Sequence, residues 1–314
     1  MADAPAPLAN RDIARFAALA PDAVPVRGPA VHGALLAALA AAFAALADPD
    51  CARLVGPIVP GATLARGARV PGTSLELDPV AAAFSLGVAV GWHGGREPIR
   101  ENLGAPFALL DYLARRAQEL GRPAPTIDGL LAALDRAARI QTALEAEPGY
   151  PEGAGSTRLA VRVASAAIAA RLLGGGIAAI AVAATDAWRE GVPPPHPRAQ
   201  PVAPRLTWTS AEASSRGLAC AFRALASAGA EDPAAAAPER ERPDGGEDGG
   251  ELARFFTATP PAIDLPDALE RFAASLEPWF GAPRRAAILS CVRDRTTFAA
   301  MPVHEFVARL VRNA

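Results

Sequence analysis

The stretch RLVGPIVPGATLARGARVPGTSLELDPVAAAFSLGVAVGW, Arg53 to Trp92, holds four short blocks in order: GPIVPG at Gly56–Gly61, VPGT at Val70–Thr73, LDPV at Leu77–Val80, and AAF at Ala82–Phe84. A single VPGT carries little information, whereas four blocks in this order and spacing carry a great deal. Outward from this stretch, the chain from about residue 29 is a succession of Ala/Leu-rich segments punctuated by Gly and Pro. The alternating Val/Ile/Thr texture of strands is scarce, so the pattern predicts a mostly α protein.

Individual helices can be drawn from the spacing. Phe107, Leu110, Ala114 and Ala117 form one apolar stripe that stops at Gly121, ahead of Pro123. Thr126 is placed to cap the next helix, with Asp128 in its first turn and Leu130, Leu131, Leu134 and Ala138 on its apolar face, running to about Ala143. Arg158–Leu173 and Ile177–Glu190 read as a helical pair split by Gly174, Gly175 and Gly176, and Thr209-Ser210-Ala211-Glu212 reads as a capping box for a helix closed by Gly229. Between roughly Ala230 and Gly250 almost no large apolar residue occurs, so burial there cannot offset the entropy of ordering, and a disordered linker is expected. Helical signals return with Asp267 as a cap, a Leu269, Phe272, Leu276 stripe, then Ile288, Leu289 and Val292, then Val303–Val311. The expected organisation is a helical domain at 1–229, an acidic low-complexity linker at 230–262, and C-terminal helices at 263–314 that pack back on the first domain.

Composition narrows the chemistry. The 314 residues are 51% hydrophobic, enough for a sizeable core, and all 31 basic residues are arginine. Without lysine there is no neutral amine base and no Schiff-base nucleophile. A net charge of −2, with no aromatics interleaved among the arginines, argues against a nucleic-acid partner. Cys51, Cys220 and Cys291 are odd in number and widely spaced, which suggests neither disulfides nor a thiolate metal site and fits a reducing cytoplasm. The first residues lack the apolar core of a signal peptide, and the apolar run Gly33–Ala47 is short for a membrane span, so no membrane association is expected.

The four opening blocks resemble the MmgE/PrpD family, the 2-methylcitrate dehydratases. The resemblance continues through NLG at Asn102–Gly104, RVAS at Arg162–Ser165, DAWREG at Asp186–Gly191, RLTWTSAEASSRG at Arg205–Gly217 and MPVHEFV at Met301–Val307. It implies the helical domain of the MmgE/PrpD fold, with the family's α/β lid domain largely missing because only the acidic linker fills its place. It also implies a hydro-lyase that removes water from a tricarboxylate in propionate breakdown, without metal or cofactor, in a cytoplasmic homodimer or paired with a paralogue.

Such an elimination needs a base, an acid for the leaving hydroxyl and cations for the carboxylates. The family pattern W-L-D-F-N-D followed by H-P-S-D-N-L-G is here WHGGREPIRENLG, which puts Gly94 at an aspartate position and Pro98 at the histidine. A second family histidine falls on Thr157, and the lysine of R-K-S-W falls on Leu206. Loss of several positioned acids and bases, each contributing on the order of a hundred- to ten-thousand-fold, implies an impaired enzyme or a non-catalytic partner of an intact paralogue. Asn102, Arg205, Arg216 and His196 remain at or near family positions and are the implied substrate-binding set. An Arg paired with a nearby acid such as Glu212 is the structural alternative, and His196 sits among four prolines that suit an exposed loop. His32 and His304 are expected to be structural, and Trp92, Trp188 and Trp208 to pack the core. Gly174–Gly176 lacks the GK[ST] ending of a phosphate loop, and no HExxH or GxSxG motif occurs.

Overall fold

The computed structural model describes residues 10–151, 154–191, 209–228 and 249–312. In chain order its helices are α1 (Asn10–Ala18), α2 (Gly28–Ala45), α3 (Pro49–Leu54), α4 (Pro79–Gly91), α5 (Pro98–Glu101), α6 (Gly104–Arg115), α7 (Ile127–Glu145), α8 (Ala154–Leu172), α9 (Ile177–Gly191), α10 (Thr209–Ala228), α11 (Gly249–Thr257), α12 (Leu265–Ser275), α13 (Ala282–Arg293), α14 (Arg295–Ala300) and α15 (Val303–Leu310). The strands among the described residues are β1 (Ala68–Arg69) and β2 (Glu76–Leu77), paired antiparallel with Ala68 opposite Leu77. The protein is mostly α, as its sequence pattern predicts.

Two hydrophobic cores share α4, α6 and α7. The first gathers α1, α8, α9 and α10 around Phe16, Ile140, Ile168 and Leu218. The second gathers α2 with α12 to α15 around Phe43, Phe107, Phe272, Phe298 and Phe306. Each fully buried large side chain contributes on the order of 1.5–3 kcal/mol, so the C-terminal helices are held by the same apolar forces as the rest.

Several of the blocks quoted above turn out to encode close packing. In VPGT, Gly72 has φ +79 and lies where a Cβ would meet the Leu46 side chain at 2.7 Å, while its amide donates to the Leu310 carbonyl (2.8 Å) and so ties the hairpin to α15. In LDPV, Asp78 caps α4 by accepting from the amides of Val80 (2.9 Å) and Ala81 (3.0 Å), and Pro79 fills the first helical position, where no amide is needed. In RVAS and SAEASSRG, Ser165 donates to Ser214 Oγ (3.2 Å), and that oxygen also accepts from the Ala105 amide (3.0 Å). Gly217 sets the spacing of α8 and α10, since a Cβ there would stand 2.4 Å from the Arg162 carbonyl oxygen.

Some expectations are corrected. The region read as linker does not extend unbroken to residue 262, because α11 forms at Gly249–Thr257 and Phe255, fully buried, stacks on Phe16 at 4.6 Å. Residues 230–248 lie outside the described residues. The cap of α12 is Asp264, which accepts from the Asp267 amide at 3.4 Å, and Asp267 itself sits in the first turn. The apolar run near residue 33 belongs to an 18-residue helix that starts at Gly28; it is long and apolar enough to cross a membrane, yet 72% of it is buried inside the fold. Trp188 and Trp92, partly buried, do pack against the first and second cores, while Trp208 is outside the described residues.

Candidate functional site

The chain leaves α4 through a turn in which Gly94 (φ +73) and Gly95 (φ +87) adopt left-handed backbone that only glycine takes without strain. Arg100 turns back to donate to the carbonyls of Gly94 (2.5 Å) and Gly95, which closes the turn. Glu97 then caps α5, accepting from the amides of Ile99 (3.0 Å) and Arg100 (2.7 Å), and Pro98 occupies the first position of that helix. Pro98, where the resemblance implied a histidine, is a proline ring at a helix start and has no titratable atom.

Immediately below lies a connected polar network. Asn102, fully buried, donates through Nδ2 to the Pro98 carbonyl (2.8 Å) and to Gln141 Oε1 (2.6 Å). Gln141, also fully buried on α7, donates to Glu101 Oε2 (2.7 Å) and Glu145 Oε1 (3.2 Å), and Arg96 reaches Glu145 at 2.8 Å. Asn102 Oδ1 and Thr142 Oγ1 are buried without a hydrogen-bond partner. Burial pushes the carboxyls of both Glu97 and Glu101 above the ordinary range. The helix-capping amides pull Glu97 back down; for Glu101 the hydrogen bond from Gln141 and the Arg96 charge oppose the rise, while Glu145 and Glu97 add to it.

Glu97 and Glu101 were not on the expected list. The signal for Glu101 was present, because setting PIRENLG against H-P-S-D-N-L-G places Glu101 on the family aspartate. Asn102, expected as a substrate ligand, is fully buried and links α5 to α7 through its amide nitrogen.

The other expected residues fall elsewhere. Thr157 is half-buried in the opening turn of α8. Arg216 is largely exposed on α10 and pairs with Glu212 at 3.0 Å, which is the structural alternative for that residue. It lies close enough to Arg162 that its charge, after burial, depresses the Arg162 pKa. Arg205, Leu206 and His196 lie outside the described residues. His93 is exposed beyond α4. His32, fully buried, bonds through neither nitrogen and stacks on Phe298 at 4.9 Å, and burial lowers its pKa to about 4. Among the described residues no group of three or more His, Cys, Asp and Glu is arranged to hold a metal ion. The thiols of Cys51, Cys220 and Cys291 are all pushed up by burial, Cys51 to about 11, which makes each a poor nucleophile.

The fold and this network define a mostly α-helical scaffold in which a four-residue helix, started by proline, presents half-buried glutamates and arginines between two larger helices. The family model described as the MmgE/PrpD N-terminal domain matches residues 12–240, and the chain belongs to the MmgE/PrpD family. It is 34% identical to the 2-methylcitrate dehydratase of Salmonella typhimurium over 202 residues, covering 62% of this chain and 42% of that protein. The 2-methylcitrate dehydratase of Cupriavidus necator is 34% identical over 60% of this chain and 41% of its own length, and the 2-methylcitrate dehydratase-like protein oryR of Aspergillus oryzae is 32% identical over 59% and 40%. The chain thus matches about two fifths of the length of these curated relatives.

Proposed function

We propose that this chain is a 2-methylcitrate-dehydratase-like protein that keeps the helical scaffold of a hydro-lyase and turns over its tricarboxylate weakly or not at all. The observation carrying this reading is Pro98 at the first position of α5, beside the Gly94–Gly95 turn, where the family pattern has proton-carrying side chains. The acids that remain are committed: both oxygens of Glu97 hold backbone amides, and Glu101 holds Gln141. Both carboxylates are therefore already engaged in holding α5 and α7 in place. The test is to incubate purified protein at high concentration with 2-methylcitrate and follow the ultraviolet absorbance of the unsaturated product. A flat trace supports the reading, and steady formation of product overturns it.

A second reading, a non-catalytic partner of an intact paralogue, is favoured by the GPIVPG turn, where Ile58 is 89% and Val59 66% exposed between prolines. Size-exclusion chromatography with light scattering, alone and mixed with a full-length family member, tests it. A monomer in both runs contradicts it. A cytoplasmic location accompanies either reading and is supported by the three free cysteines; recovery from a membrane fraction would count against it.

A further inference from the structure

Between α2, the turn before α5 and α12 lies a cavity of about 700 Å³ that shares Arg96, Glu97 and Arg100 with the site described above. Its size is in the usual range for small-molecule sites, roughly 300–1,000 Å³. Its floor is apolar and made of the smallest side chain that still carries a methyl group: Ala37, Ala41 and Ala44 lie along one side of α2, none of them fully covered. Its rim carries three guanidinium groups, from Arg96, Arg100 and Arg271.

These cations are not equally occupied. Arg96 is paired with Glu145 at 2.8 Å. Arg100 donates to the backbone carbonyls of Gly94 and Gly95, and Arg271 to the carbonyl of Asp267 in its own helix at 3.3 Å. Neither makes an ion pair among the described residues. Glu97 is the lining carboxylate, and its oxygens already accept two backbone amides. Arg100 and Arg271 are thus the two rim guanidiniums without a carboxylate at ion-pair distance among the described residues, at the mouth of an alanine-floored cavity.

We propose that this cavity binds a small aliphatic monocarboxylate, with the carboxylate held between Arg100 and Arg271 and the hydrocarbon body lying on the alanine face of α2. A guanidinium fork suits a carboxylate through charge-assisted hydrogen bonds, and two guanidiniums on one rim can hold one carboxylate between them. A tricarboxylate fits poorly, because two of its three charges would be set against alanine methyls or against Glu97 without a partner. The assignment is independent of whether the chain catalyses any dehydration.

The experiment is isothermal titration calorimetry of the whole chain with hexanoate, hexanol and citrate. Saturable hexanoate binding is expected, with hexanol and citrate each at least about tenfold weaker, the order of one charge-assisted contact. Arg271→Gln, at an exposed side chain whose removal leaves the fold intact, is expected to weaken hexanoate about tenfold. Ala41→Leu, which fills the floor, is expected to abolish the heat of binding, with circular dichroism confirming that the variant is folded. Absence of saturation, equal binding of hexanol, tighter binding of citrate, or hexanoate affinity unchanged in both variants each overturns the proposal.

Discussion

Replacing Asp135 with asparagine tests how the C-terminal part of the chain is held to the bundle. Asp135, on α7 and 1% exposed, accepts at Oδ1 from Arg27 Nε (3.0 Å) and Nη2 (2.6 Å), and at Oδ2 from Arg139 Nε (2.8 Å). The two arginines extend the clamp. Arg27 also donates to the Pro260 carbonyl (3.1 Å), and Arg139 donates to the carbonyls of Pro25 (3.1 Å) and Phe256 (3.3 Å). One carboxylate thereby ties the start of α2 and the segment after α11 to the centre of the fold. Asn is nearly isosteric, so the packing survives, but its NH₂ would face guanidinium N–H groups and two cations would share a site with no counter-charge. Removing one partner of a buried ion pair costs about 3–5 kcal/mol, and Arg27, a quarter exposed, argues for the lower end, about 3 kcal/mol. For a chain of this size that is a fall in Tm of roughly 4–6 °C, measurable by differential scanning calorimetry. Limited proteolysis should in parallel speed up between α11 and α12. A fall of less than about 2 °C, with unchanged proteolysis, would refute the clamp.

Gly217→Ala should lower stability by about 1–3 kcal/mol, since the added methyl meets the Arg162 carbonyl at 2.4 Å and α8 and α10 must part; urea unfolding followed by circular dichroism measures it. His32 has its folded-state pKa lowered to about 4 from an ordinary 6.5, so the fold favours its neutral form. The stability this linkage protects is complete above about pH 6.5 and is lost as pH falls towards 4, and His32→Leu should flatten that part of the stability profile relative to the unsubstituted protein. Parallel profiles for the two proteins would contradict it. Ile58→Asp should leave Tm unchanged, because the side chain is 89% exposed, while lowering any self-association seen by light scattering.

Much of the helical layout was legible because its signals are local. Thr126 accepts from the Gly129 amide at 3.4 Å and α7 begins at Ile127, while α8 ends at Leu172 and α9 begins at Ile177, on either side of the three glycines. The cap of α12 was misplaced because Asp267 directly precedes the apolar stripe, whereas the residue satisfying the orphan amide is three positions earlier, ahead of Pro266. The β1–β2 hairpin was missed because two-residue strands have no periodicity to read. The acidic run hid α11, although Leu252, Phe255 and Phe256 at helical spacing are the apolar residues that order it. At the site, Glu97 and Glu101 carry no sequence signature of their own beyond the PIRENLG alignment. Their significance depends on burial by α7 and on Gln141 arriving from 40 residues away, which no short motif encodes.

The claim on which the functional account rests is that the scaffold persists while proton transfer at Pro98 does not. It is tested most directly by a single-turnover experiment, with the protein in molar excess over 2-methylcitrate and the product followed by NMR. The account predicts unchanged substrate after many hours, beside rapid conversion by a full-length relative under the same conditions. Conversion of the bound substrate at a rate comparable to that relative would contradict it.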